Sequence, residues 1–169
     1  MSRIEALLSL SGYARGVEAA FVTGLDESQR NAVGSAEAWT AKDVVAHVAS
    51  WRRRGVELLE GARQGSVPEE MAEFDEINRK FYLEHRDRSW EEVLEQSDSV
   101  WTSFMESLPG VPPAALDDEA LSNPPLWRRL TIDAGNHPVL HFAEHAARTG
   151  RTDEAVRWME GLSPCLLAL

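Results

Sequence analysis

The chain has 169 residues, 43% of them hydrophobic, which suits one domain with a core that needs no disulfide or structural metal. It carries 28 Asp and Glu against 17 Lys and Arg, a formal charge of −11, so its field repels a phosphate backbone and excludes nucleic acid as the expected partner. Its one cysteine, Cys165, cannot pair internally, which fits a reducing compartment.

The N-terminal run MSRIEALLSLSGYARG is broken by Glu5, Ser9 and Ser11 and does not read as a signal peptide. No stretch approaches the roughly 18 apolar residues of a membrane span. These features predict a soluble, cytoplasmic protein with no membrane partner, folded as a single domain over 1–169.

Ser2 and Glu5 have the spacing of a capping box. Ile4, Leu7, Leu8, Val17, Phe21 and Leu25 follow at helical intervals, with Gly24 near the end. Residues 26–37 are polar and read as a connection. Thr40 opens a second helix, with Asp43 in its first turn and Val44, Val48, Trp51, Leu58 and Leu59 as its apolar stripe. Gly61, Gly65 and Pro68 break that pattern. A third helix is predicted over about 68–84, burying Met71, Phe74, Ile77, Phe81 and Tyr82.

Ser89 and Glu92 form another capping box, ahead of Val93, Leu94, Val100, Trp101, Phe104 and Leu108. The proline-rich run 109–113 ends that helix, and 117–125 reads as loop. Val139, Phe142, Ala143 and Ala146 mark a last long helix ending at Gly150, with a short terminal helix from Thr152 through Trp158. No segment alternates like a strand with hairpin turns. The predicted fold is all-α, a four-helix bundle with short extra helices.

The histidines carry the chemical signal. His137, His141 and His145 fall within HPVLHFAEH. His141 and His145 are four apart, so on a helix both imidazoles leave one face, with Cβ atoms roughly 6 Å apart. Two neutral imidazoles so placed can ligate one ion at about 2.1 Å. His47, between Val44 and Trp51 on an inward stripe, is the candidate third ligand. Three histidines leave a coordination position open, the catalytic pattern. A His137/His141 pair is the alternative. Pro138 weighs against it, because proline fits the first helical position and pushes the residue before it from helical angles. His85 suits a helix C-terminus, where its charge meets the dipole. Phe142 stands where a metalloprotease motif would place its general base.

The run Trp39-Thr40-Ala41-Lys42-Asp43-Val44-Val45-Ala46-His47-Val48-Ala49-Ser50-Trp51 resembles the second-helix signature of the DinB/YfiT-like superfamily. His141-Phe142-Ala143-Glu144-His145 resembles the HxxxH of its last bundle helix, and order and separation agree. Residues 73–108 are similar to the DfsB-like and colibactin-resistance-like branch. Ala146-Ala147-Arg148-Thr149-Gly150 departs from the basic and Gly-Gln ending common in the superfamily.

The resemblance implies a DinB-like four-helix bundle, often a homodimer, with a Zn or Ni ion on His47, His141 and His145. It further implies a transferase or hydrolase acting on a small electrophile, with a low-molecular-weight thiol as cosubstrate. Such an ion would acidify a bound water or hold a thiol as thiolate. Asp43 and Glu144 could then orient imidazoles as outer hydrogen-bond acceptors, although capping explains Asp43 and solvation explains Glu144. Trp39 and Trp51 could line a pocket or fill the core. The alternative function is a non-catalytic bundle that sequesters a small toxic compound.

Overall fold

The computed structural model describes residues 1–68 and 73–169. Helix α1 (Arg3–Thr23) begins at its capping box: Glu5 N donates to Ser2 Oγ, and Ser2 N donates to Glu5 Oε2 at 2.7 Å. The polar connection holds a four-residue helix, α2 (Glu27–Arg30), started by a reciprocal Asp26–Gln29 cap. No apolar period announces that turn in the sequence. Helix α3 (Ala41–Gln64) starts at the Thr40–Asp43 box and stops at Gly65. Gly65 takes a φ of 74°, a left-handed cap that a side chain would strain.

Helix α4 (Phe74–His85) begins later than the sequence pattern suggests, and Met71 lies outside the described residues. Helix α5 (Trp90–Ser107) starts at the Ser89–Glu92 box. The proline-rich run forms a tight turn and then α6 (Pro113–Asp117), which uses its proline where a helix has no donor to lose.

Helix α7 (Leu126–Thr131) passes through one wide π turn (Ile132–Asn136) directly into α8 (His137–Arg148). The expected helix start at Pro138 is therefore the middle of a continuous rod. An α-helical Pro138 would lack its donor and crowd the carbonyl four residues back. One inserted residue opens the turn, and His137 N instead reaches Ile132 O. Gly135 lets this turn approach α1, since a Cβ there would sit 2.4 Å from Leu10 Cδ2. Helix α9 (Thr152–Leu167) outruns its expected end and carries Pro164.

Among the described residues there are no strands, only an isolated bridge between Ser35 and Ala38. The architecture is an all-α bundle. Helix α3 packs along α5 and against α8, α1 packs against α8, and α9 lies on α1 and α8. Leu10, Val17, Phe21, Val45, Val48, Val139 and Phe142 form one core. Leu7, Leu58, Phe104, Leu126 and Leu130 form a second. No described helix is long and apolar enough to cross a membrane.

A polar network crosses this interior. Arg52 Nη2 donates to Glu18 Oε2 at 2.9 Å, with both side chains 1% exposed. Arg15 pairs with the other Glu18 oxygen, and Ser97 Oγ donates to Glu18. Burial by itself would raise the Glu18 carboxyl, but Arg52, Arg15 and Ser97 outweigh it and hold the group below its ordinary value.

Candidate metal centre

Three side chains converge where α3 meets α8. The Nε2 atoms of His137 and His47 are 3.2 Å apart, and those of His137 and His141 are 2.8 Å apart. Each of the three residues offers one ring nitrogen, and these nitrogens all lie within 4.8 Å of one another. Among the described residues this is the group able to hold a metal ion.

His145 lies outside it. The three α8 histidines step by four residues, and each step turns the side chain about 40° around the axis. A single ion facing α3 can therefore meet two neighbouring steps but not all three. The π turn sets His137 and His141 on that face. His145 falls one turn further on, its ring perpendicular to that of Phe21 with the centroids 5.3 Å apart. The structure thus brings His137, rather than the expected His145, together with His141 and His47. The available signal was Leu126, Leu130 and Ala134, all fully buried and four apart, which carry the helical pattern to Pro138 from its N-terminal side.

Electrostatics favours neutral rings. Burial first, and then the neighbouring His137 and His141, lower His47 to about 2. Burial, then His141, lowers His137 to about 3. His141 is lowered mainly by burial, which the nearby Glu144 partly opposes. Neutral imidazole is the form that ligates metal.

The contacts also fail as a purely hydrogen-bonded cluster. A ring nitrogen is either one donor or one acceptor. His137 Nε2 faces two other Nε2 atoms, so it cannot make a full hydrogen bond to both. Three lone pairs aimed at one cation resolve the conflict, and the donor set fits a divalent ion with imidazole preference.

Aromatic rings wall the centre. The Trp39 ring centroid lies 4.5 Å from that of His47 and 6.0 Å from that of His141. The Trp51 ring centroid lies 6.3 Å from that of His47 and 6.0 Å from that of His137. Arg148 Nη2 donates to Trp39 O, tying the loop that carries this ring to the end of α8. Asp43 Oδ2 accepts from Thr40 N at 2.8 Å and Thr40 Oγ1 at 2.7 Å, so its direct partners belong to the helix cap. Glu144 is exposed and borders an open cleft with His141, His145, Arg148 and Trp39. His85 is buried, with its ring nitrogens on Phe81 O and Gln96 Oε1. Asn78, which no spacing rule singles out, accepts at its Oδ1 from Trp51 Nε1 at 3.1 Å.

A helical bundle with histidines from two helices converging on one point defines a DinB/YfiT-like protein. Within that superfamily, residues 14–139 match the mycothiol maleylpyruvate isomerase N-terminal domain, and the chain belongs to this family. The matched span includes His47 and His137 and stops two residues before His141. No curated protein and no solved structure matches the chain.

Proposed function

We propose that His47, His137 and His141 hold one divalent ion, zinc or nickel, and that the protein is a thiol-dependent transferase or hydrolase acting on a small electrophile. The observation that carries this reading is the position of His137 Nε2 between the Nε2 atoms of His47 and His141. The family's association with mycothiol supports a low-molecular-weight thiol as cosubstrate, drawn from a cytoplasmic pool.

The bound ion supplies a Lewis acid that keeps a thiol, or a water, deprotonated at neutral pH. The chain contributes the rest. Its three neutral imidazoles present lone pairs without first losing protons. Trp39 and Trp51 limit water at the centre and lower the local dielectric, which strengthens charge interactions there. The cleft beside His141 gives small molecules an approach. No side chain needs to act as the nucleophile, which agrees with a chain whose one cysteine lies on α9.

The test loads tag-free protein with Co²⁺ as a spectroscopic probe and adds a small thiol. One equivalent of Co²⁺ and a new thiolate-to-metal absorption band are the expected results. Binding of Co²⁺ with no response to thiols would remove the thiol chemistry and favour a sequestering role. Failure to bind Co²⁺, Zn²⁺ or Ni²⁺ would remove the metal reading.

A further inference from the structure

His47 has a second ring nitrogen whose surroundings the metal reading leaves unexplained. The residue is 4% exposed, and no protein group reaches its Nδ1. A neutral His47 that ligates through Nε2 carries its proton on Nδ1. That proton is a buried donor, and leaving it unmatched is destabilising.

A small chamber adjoins the ring. It measures about 10 Å³ for the centre of a water-sized sphere, and its walls include His47, Asn78, Asp43 and Tyr82. Neither His137 nor His141 lines it, so the chamber lies apart from the point where the three Nε2 atoms meet. A polar cavity needs roughly 10–15 Å³ on this measure to hold one water with two to four partners. The chamber reaches the lower end of that size, and His47, Asn78, Asp43 and Tyr82 supply polar groups beside Trp39, Ala46 and Phe81.

We infer that this chamber is a binding site for a single ordered water that bridges His47 Nδ1 to Asn78 and Asp43, with Asn78 as a positioning residue for the metal centre. The inference rests on the reading of His47 as a metal ligand. The indole of Trp51 donates to Asn78 Oδ1, which fixes the amide and makes its NH₂ the donor edge. The water accepts from His47 Nδ1–H and from Asn78 Nδ2–H, and it donates to Asp43. An ionised carboxylate offers about four lone-pair sites, of which Thr40 takes two. The bridge locks the His47 tautomer and ring orientation, as a direct carboxylate partner does at other metal histidines. It also gives Trp51 a task besides walling the site, namely holding Asn78 in register.

The test is Co²⁺ binding to the full chain by competition with a chelator, together with proton NMR of the Co²⁺-loaded protein. In the wild type, the shifted Nδ1–H resonance of His47 is expected to exchange slowly with solvent. Asn78→Leu should weaken Co²⁺ binding by roughly 10–100-fold and make that resonance exchange fast. Trp51→Phe keeps the amide but frees it to turn, so it should shift both readouts in the same direction by less, and it decides the matter if Asn78→Leu does not fold. Wild-type protein that binds Co²⁺, with folded variants that match its affinity within about twofold and keep the protected resonance, overturns this role of Asn78 and leaves the metal site standing. Wild-type protein that binds no Co²⁺ overturns both.

Discussion

His137 and His141 stand one helical turn apart on α8 and aim their Nε2 atoms at the same point, 2.8 Å from each other. Two neutral acceptors at that range repel unless a proton or a cation lies between them. The arrangement separates the roles of neighbouring histidines that look equivalent in the sequence. His137→Ala and His141→Ala should each weaken Zn²⁺ binding on the order of a hundredfold, by removing one of three ligands. His47→Ala should do the same. His145→Ala should leave Zn²⁺ affinity nearly unchanged, because its ring packs on Phe21. Competition with a chromogenic chelator ranks the four variants. A loss at His145 equal to that at His137 would return the site to the His141/His145 pairing that Pro138 favours in the sequence.

The wide turn before His137 depends on a close approach between two helices. A Cβ on Gly135 would meet Leu10 Cδ2 at 2.4 Å, and Leu10 is fully buried. Gly135→Ala should therefore destabilise the fold by about 1–3 kcal/mol, the usual cost of overpacking. Leu10→Ala opens space at the same contact, although it leaves a cavity elsewhere. The two substitutions should couple, with the double variant more stable than the sum of the single losses requires. Urea denaturation of the four proteins measures that coupling. Strict additivity would mean that the turn does not rest on Leu10.

Long helices were legible because their starts carry local chemistry. Ser2 with Glu5, Thr40 with Asp43 and Ser89 with Glu92 all form reciprocal caps where the spacing places them. Short α2 and α6 were not legible, since four or five residues leave no period to read. The inward stripe through Val44, His47 and Trp51 was readable as helix geometry. His137 was hidden by a sound local rule about Pro138. That rule assumes an α-helical register, and a π turn has no comparable signature in sequence. The Trp51–Asn78 contact joins residues 27 apart on different helices, so no spacing rule could propose it.

Metal binding should stabilise the folded chain, because the three histidines converge only after α3 and the α7–α8 rod have packed. A ligand specific to the native state adds about 2.7 kcal/mol at 100 times its dissociation constant. Zn²⁺ at that excess should raise the thermal midpoint of the wild type, and a chelator should return it. His137→Ala should show no such rise, whereas His145→Ala should keep it even if its starting midpoint is lower. Calorimetry with and without Zn²⁺ supplies the comparison. An equal rise in His137→Ala would point to binding outside this centre.

Acid should weaken the bundle through Glu18. Its carboxyl lies buried against Arg52, with Arg15 and Ser97 on the same group, and is held below the ordinary carboxylate value of 4.5. The unfolded chain therefore takes up this proton first as pH falls. Stability from the depressed group is complete above the unfolded value and is lost as pH drops through the folded one. Urea midpoints should be flat for this group at neutral pH and should fall below about pH 4.5. Glu18→Gln should remove part of that acid slope. At neutral pH it should cost about 3–5 kcal/mol, because Arg52 is left buried without its counter-charge. A hydrophobic replacement of both partners, Glu18→Leu with Arg52→Met, should recover much of that loss, since burying the pair carries its own desolvation cost. If the double variant is no more stable than Glu18→Gln, the pair contributes more than its charges, through the hydrogen bonds that both residues make to Ser97.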